Sequence, residues 1–296
     1  MAALLCIAFI SGATAAEAKR VLLLLSDQNA AYQHYRKALE QNLPADVHLE
    51  VLSLAQQTDL PSADILVTAG SGAAQWAADR WHGAMLAGML SSKTFQQMRS
   101  GKMSASPVSA LFLDQPLVRQ VALVRATLPS LKRVGVLYTP ASDFVAQPLQ
   151  RELAKQGAQL VTMAVKPDDN LSGRLDELLA QSDILLAVPD STIYNSSTIR
   201  NILLGSYRRG IPMVGLSAAY VSAGALCAVY STPEQLAAQS AAMVSAFLHQ
   251  GAMPVPQFPK LYQIALNAEV ARSMRFNIRS AEALRIEIDR VEGGGK

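Results

Sequence analysis

The chain has 296 residues, half of them hydrophobic and 17% charged, with a formal net charge of +3. At roughly 100 to 200 residues per domain this length suggests two domains, and so much apolar material excludes an intrinsically disordered chain. The small net charge, with no run of Lys and Arg longer than two, argues against nucleic acid as a partner.

Residues 1–16, MAALLCIAFISGATAA, combine an apolar stretch with Ala13-Thr14-Ala15, an A-x-A-like cleavage site. They read as a secretory signal peptide, with a buried first strand or helix as the competing reading. The segment is too short to span a bilayer, and no later stretch reaches the roughly 18 apolar residues that a transmembrane helix requires. The expectation is an exported, periplasmic chain that does not itself span the membrane. Cys6 is preceded by Leu5, where a lipoprotein signal would carry a small residue, so lipidation is not expected. Cleavage would leave Cys227 as the sole cysteine, without an intrachain disulfide. Cys227 alternates within the apolar run 225–229 and reads as a small buried hydrophobe.

Strand-like runs at 19–26 and 132–139 have the same form, and a second matching pair lies at 64–71 and 183–190. Within each half a strand is followed by a helical stretch (32–41; 144–156), a strand (47–52; 159–165) and then the second signature strand. Alternating strands and helices imply parallel sheets with right-handed crossovers, and the internal similarity implies two related α/β lobes. Residues 109–114 read as the last strand of the first lobe, Gln115-Pro116 as a break, and 117–127 as a helix with an apolar face, closed by Pro129. Residues 183–188 form a continuous apolar run, as expected of a strand buried on both faces. A helix over 199–209 stops at Gly210, and 211–230 read as strand, polar loop, strand. Ser231-Thr232 are N-cap candidates for a helix over 233–249 that ends at Gly251. Residues 291–296 are expected to be a disordered, glycine-ended tail.

Catalytic signals are weak. His34, His48, His82 and His249 are scattered, with no H-E-x-x-H and no Cys/His cluster. No catalytic residue, metal or cofactor is expected. Gly70 and Gly72 lack the third glycine of a dinucleotide fingerprint, and Ala69 and Ala73 stand where a nucleophile elbow needs glycine.

In open α/β sheets ligands sit beyond the carboxyl ends of the strands, which makes the polar residues there the binding candidates. At the first strand these are Ser26 and Gln28, with an ordinary polar loop as the alternative. Gly70, Ser71 and Gly72 open a helix whose exposed N–H groups could hold an anion, unless Ser71 merely caps it. Thr139 and Ser142 could donate hydrogen bonds, unless Ser142 caps the next helix. Asp190, followed by Ser191, could accept from a ligand ammonium or fix its loop as an Asx turn. Ser217 and Tyr220 follow the strand that begins near 211, and Tyr220 could offer a stacking face or simply pack.

Asp190, Ile211-Pro212-Met213, residues 221–225 (VSAGA), Leu248 with Gly251, and Ile264-Ala265-Leu266-Asn267 form a pattern that resembles the tryptophan/tyrosine-type periplasmic substrate-binding proteins of ABC importers. The resemblance extends back to about Ser109 and weakly to about Arg20. It implies a type I periplasmic binding protein: two Rossmann-like lobes with parallel sheets, joined by a three-crossing hinge. The lobes would be 17–113 plus 232–260 and 114–231 plus 261–290. It also implies capture of a small ligand, an amino acid or related molecule, by hinge closure and delivery to a membrane permease. Ser71, Asp190 and Thr139 would be first contacts, with Asp114 supporting near the hinge. The sequence departs from the family at 81–95, where a Thr-Asp-Pro-like loop is replaced by apolar residues including Met85, Leu86, Met89 and Leu90. Met89 would then belong to a cleft wall suited to a bulkier or more apolar ligand, or the run is a core strand of unusual sequence. Two other functions stay open at this point. One is an accessory binding protein for an apolar or lipid-like ligand that works with a non-ABC transporter or sensor. The other is a hydrolase or lyase on an α/β scaffold, against which the missing motifs stand.

Overall fold

A computed structural model of the chain describes residues 18–101 and 107–294. The expected signal peptide and Cys6 lie outside the described residues.

The first half alternates β1 (Lys19–Leu25), α1 (Ala30–Asn42), β2 (Val47–Ser53), β3 (Ile65–Ala69), α2 (Ser71–Ala77), β4 (Ala84–Leu90), α3 (Ser92–Ser100) and β5 (Val108–Phe112). Its five strands form one parallel sheet in the order β2-β1-β3-β4-β5. The leucine run of β1 is buried throughout because both faces of the sheet are covered. Val21, Leu23 and Leu25 face one core with Tyr35 and Leu39 of α1. Leu22 and Leu24 face the other, with Ala73, Ala74 and Trp81, as the two-residue strand period requires.

The second half continues with α4 (Leu117–Thr127), β6 (Arg133–Tyr138), α5 (Ala146–Lys155), β7 (Gln159–Ala164), α6 (Leu171–Leu179), β8 (Ile184–Leu186), α7 (Ile199–Arg208), β9 (Met213–Gly215), α8 (Ala218–Ala223) and β10 (Cys227–Tyr230). It closes with α9 (Pro233–Gln250), β11 (Gln263–Leu266), α10 (Ala268–Ser273) and α11 (Ala281–Gly293). The second sheet runs β11-β10-β9-β8-β6-β7, parallel except for β11, which pairs antiparallel with β10. Cys227 is a buried free thiol, pushed up to about 12 by desolvation despite a hydrogen bond with Thr127.

Helix α9 returns to the first sheet and packs against α1, β4 and β5. Its start is a full capping box, in which the Thr232 side chain accepts from Gln235 N–H and the Gln235 side chain accepts from Thr232 N–H, with Pro233 in the first turn. Gly251 ends it in the left-handed conformation, φ 71°. Beyond it, Gln257 exchanges backbone hydrogen bonds with Ala110 and Phe112 at the edge of β5. The chain thus passes between the two sheets three times, at 113–116, 231–232 and 258–262.

Two local expectations are corrected. Residues 218–223, read as part of a polar loop, form α8, and 291–293, read as a tail, are the last turn of α11.

Gly70 sits at φ 94°, where a Cβ would lie 2.5 Å from the Tyr32 hydroxyl and 2.6 Å from Ser26 Oγ. Both the backbone and the space require glycine there. Gly70→Ala is expected to lower the unfolding free energy by about 2 kcal/mol or more, measured by urea denaturation against the wild-type chain.

Candidate functional site

The carboxyl ends of strands from both sheets converge on a cleft. The segment after β5 supplies Leu113, Asp114 and Gln115; Pro189 follows β8; Gly215, Leu216 and Ser217 end and follow β9; and Tyr230 and Ser231 end and follow β10. These residues, with Ser91, Gln120 of α4 and the walls Leu186, Val214 and Val229, enclose about 280 Å³. A neighbouring space of about 220 Å³ shares Ser91, Asp114, Gln115, Gln120 and Pro189 and extends to Lys93, Gln96, Phe144 and Phe258. The two spaces adjoin through these shared residues, and their walls expose mostly apolar surface with polar side chains interspersed, as small-molecule sites do. Lys93 of the first lobe places Nζ 4.8 Å from the ring centroid of Phe144 in the second, a cation–π contact across the cleft.

Its polar floor is organised by a buried cation. Arg119, only 6% exposed, donates through Nε to both carboxylate oxygens of Glu292 at 3.0 and 3.1 Å. Its Nη1 donates to Gln115 Oε1 at 2.7 Å and to the Pro259 carbonyl at 2.9 Å. Its guanidinium lies 4.2 Å over the Tyr262 ring. Gln115 Nε2 donates in turn to Ser231 Oγ (3.0 Å), and that hydroxyl donates to the Leu261 carbonyl (2.6 Å). All three interlobe passages are therefore stitched together, and both ends of the Gln115 amide are occupied.

Asp114 is differently placed. One carboxylate oxygen accepts from Ser92 N–H (2.8 Å) and the other from Ser92 Oγ (2.6 Å), at the start of α3. Burial raises its carboxyl above the ordinary range, and the Ser92 hydrogen bonds only partly oppose this. Each oxygen accepts one hydrogen bond from Ser92 and the residue's own backbone N–H adds to them, which is fewer than a carboxylate's roughly four acceptor sites, on a residue that lines the cleft.

Of the residues that the sequence nominated, the structure brings Asp114 and Ser217 to the cavity walls. Ser217 precedes α8, where its side chain makes no capping bond. The remainder line neither space. Asp190, expected to offer an acceptor, has its carboxylate filled from within: one oxygen accepts from Thr139 N–H (3.1 Å), Thr139 Oγ1 (2.6 Å) and Ser142 Oγ (2.5 Å), and the other from Thr192 and Ile193 N–H. Five donors meet roughly four lone-pair sites, so the Asx-turn alternative is what the structure shows, and Thr139 and Ser142 serve that loop. Ser191 is exposed, its carbonyl accepting from Asn195. Tyr220 points its hydroxyl at the Tyr194 carbonyl, 3.4 Å away.

At the first lobe's rim, Ser26 Oγ takes the Ala73 N–H (2.7 Å), one of the donors at the start of α2 that an anion would have used. Gly70 N–H donates to the Gly88 carbonyl (2.9 Å), Ser71 is half-buried, Gly72 is exposed, and exposed Gln28 accepts from Gln33. The apolar run of β4 is core: Met85, Leu86 and Leu90 are buried. Met89 occupies a bulge against β5 at φ 52° and packs on the core. The wall that this run was expected to supply comes instead from Leu113, Leu186, Val214, Leu216 and Val229.

Sequence reasoning missed Gln115, Gln120 and Ser231. A usable signal was present in Arg119-Gln120, two adjacent polar residues in the first half of a mostly apolar helix, which when buried need a polar partner or a cavity.

Residues 45–287 match the family model of ABC transporter substrate binding proteins. The chain belongs to this family. Among solved structures it is similar to a conserved domain protein from Vibrio cholerae O1 biovar El Tor, at 19% identity and a TM-score of 0.65, over 91% of this chain and 98% of that one. An ABC domain from Streptococcus pneumoniae in complex with L-Trp aligns at 17% identity and a TM-score of 0.64, over 90% and 98% of the two chains. The ligand-free, open form of a substrate binding protein with adhesive properties from Clostridium difficile gives 17% identity and a TM-score of 0.67, over 90% and 97%. These likenesses establish the type I periplasmic binding fold. No curated protein matches the chain. The family is one of solute-binding proteins, and among the described residues no helix is long and apolar enough to cross a membrane.

Burial pushes the Asp190 carboxyl up, but the Ser142 and Thr139 hydroxyls and the backbone N–H groups outweigh it, and the group lies below its usual range. Its contribution to stability is therefore complete above the ordinary carboxylate range, about 4, and is lost as pH falls through the depressed folded value. Asp190→Ala is expected to cost roughly 3 kcal/mol at neutral pH, with a flatter acid limb than wild type in unfolding free energy measured against pH.

Proposed function

We propose that this chain is an exported solute-binding component of an ABC importer, which captures a small primary amine with an apolar body, an amino acid or a relative of one. The observation that carries this reading is Asp114. It is a half-buried carboxylate with spare acceptor capacity, set among apolar walls at the first passage between the lobes. A cation is the natural partner for a buried carboxylate, while Leu186, Val214, Leu216 and Val229 would take an apolar side chain. The similarity to a structure in complex with L-Trp supports this reading. The lobes, 17–113 plus 232–260 and 114–231 plus 261–290, would close on the solute about the three passages. Closure would present the rim to a membrane permease, with the solute's differential affinity for the closed state supplying the drive. An N-terminal signal peptide would deliver the chain to the periplasm.

The test is thermal unfolding of the chain from Glu17 onward against amino acids, small carboxylates, sugars and lipids. A bound amine raises the midpoint in proportion to RT ln(1 + [L]/Kd). Asp114→Asn is expected to weaken amine binding by about 100-fold, with little of the shift left at concentrations that saturate wild type. Burial raises the Asp114 carboxyl, so amine affinity should begin to fall on acidification at a pH above the ordinary carboxylate value of about 4. A shift with lipids alone would replace the amine reading by that of an apolar-ligand carrier.

A further inference from the structure

Among the described residues that line the cleft, one carries a buried side-chain atom without a hydrogen-bond partner. Gln120 is 7% exposed and lines both parts of the cleft. Its Nε2 donates to the Gln115 carbonyl at 3.1 Å, which fixes the amide so that Oε1 is the atom left over. That oxygen is buried and accepts no hydrogen bond among the described residues. Buried polar atoms in native proteins nearly always find a partner, and an unmet acceptor beside a cavity marks where a donor belongs. The neighbouring groups are directed elsewhere: Arg119 toward Glu292, Gln115 and Pro259, and the Gln115 amide toward Arg119 and Ser231.

We infer that Gln120 Oε1 is a specificity-determining acceptor, which takes one N–H of the solute's primary ammonium while Asp114 takes another. This inference rests on the amine reading of the cleft and makes it narrower. A carboxylate alone accepts primary, secondary and tertiary ammonium groups, because a single N–H and the positive charge satisfy it. Adding a neutral carbonyl acceptor demands a second N–H. An N,N-dimethylated amine keeps its charge and one N–H for Asp114 but has nothing left for Gln120, whose carbonyl would stay buried and unpaired. The cleft would therefore favour primary over tertiary amines of the same side chain.

The test is calorimetric titration of the chain with L-tryptophan, L-tyrosine, L-leucine and tyramine, each beside its N,N-dimethyl counterpart. It is run on wild type, Gln120→Met, Gln120→Leu and Asp114→Asn. In wild type, dimethylation is expected to weaken binding about tenfold, the worth of one hydrogen bond to a buried acceptor. In Gln120→Met the primary amine should bind about tenfold more weakly than to wild type, and dimethylation should cost nothing further. Such coupling between a protein change and a ligand change is what a purely structural role of Gln120 would not produce. Gln120→Met preserves the side-chain volume if Gln120→Leu fails to fold, and its unfolding midpoint reports on that directly. An undiminished dimethylation penalty in Gln120→Met, with Asp114→Asn still abolishing binding, would overturn the role of Gln120 and leave the amine reading standing. Equal binding of primary and dimethylated amines by wild type would do the same. Binding of the amines that is indifferent to Asp114→Asn, or no binding of any of them to wild type, would overturn the amine reading and this inference with it.

Discussion

A buried guanidinium has to be neutralised and hydrogen-bonded where it lies, and Arg119 is the group on which the rest of this molecule is arranged. Leaving such a charge without its partner costs about 3–5 kcal/mol. The carboxylate of Glu292, the Gln115 amide and the Pro259 carbonyl therefore act as obligatory companions. They come from the last helix and from the first and third passages, and Ser231 joins the second through Gln115. Tyr262 closes the arrangement, with Arg119 over its ring and Arg285 also within 4.8 Å of the centroid. Three strands of chain that could have been independent linkers are thus held as one bundle, and α11 is tied to it through Glu292.

This bundle decides which polar groups are available in the cleft. Gln115 and Ser231 line the cavity yet are spent on each other and on Arg119 and Leu261. Gln120 uses its nitrogen to hold the Gln115 carbonyl, and Asp114 uses part of its capacity on the start of α3. Asp114 and Gln120 keep acceptor capacity, both on the stretch that runs from the end of β5 into α4, and the Ser217 hydroxyl lies on the opposite wall. Beside them the Gln115 and Ser231 donors are already spent. The cleft floor is consequently suited to a group rich in N–H, and the asymmetry arises from the way one buried cation is satisfied.

The two-lobed α/β architecture was legible because strands buried on both faces must be written as apolar runs, and β1, β3, β6 and β8 lie inside or coincide with such runs. Helix α4 was legible to the residue, since Pro116 and the Leu128-Pro129 pair bound it. Helix α8 was not, because a six-residue stretch of Ala, Ser, Tyr and Val carries too few turns to show a period. The site was harder still. A polar residue after a strand faces the right end of the sheet, but sequence does not say whether the chain supplies its partners. Asp190 receives five donors from Thr139, Ser142 and its own loop, and Asp114 two from Ser92, although both read as an acid at the end of a strand-like run. The β4 run failed for a related reason: a departure from the family pattern changes which residues fill a core as readily as which residues meet a ligand.

The distribution of chemistry over the cleft also bears on how capture would proceed. Asp114 lies in the first passage between the sheets and Gln120 in the first turn of α4 just beyond it, so on the proposed reading both would be little displaced when the lobes rotate. The apolar walls come from both sides, Leu113 after the first sheet's β5 and Leu186, Val214 and Val229 from the second sheet, and on the proposed reading they would meet around a solute only when the lobes are together. Lys93 and Phe144 likewise face each other across the opening. On the proposed reading, an ammonium can be held in either state, so it contributes affinity but little bias between open and closed. The bias must come from apolar surface, at about 25 cal/mol per Å² removed from water, which is buried only on closure. A solute with the right charged end and too small a body would then bind without closing the lobes, and size selectivity would appear in transport before it appeared in affinity.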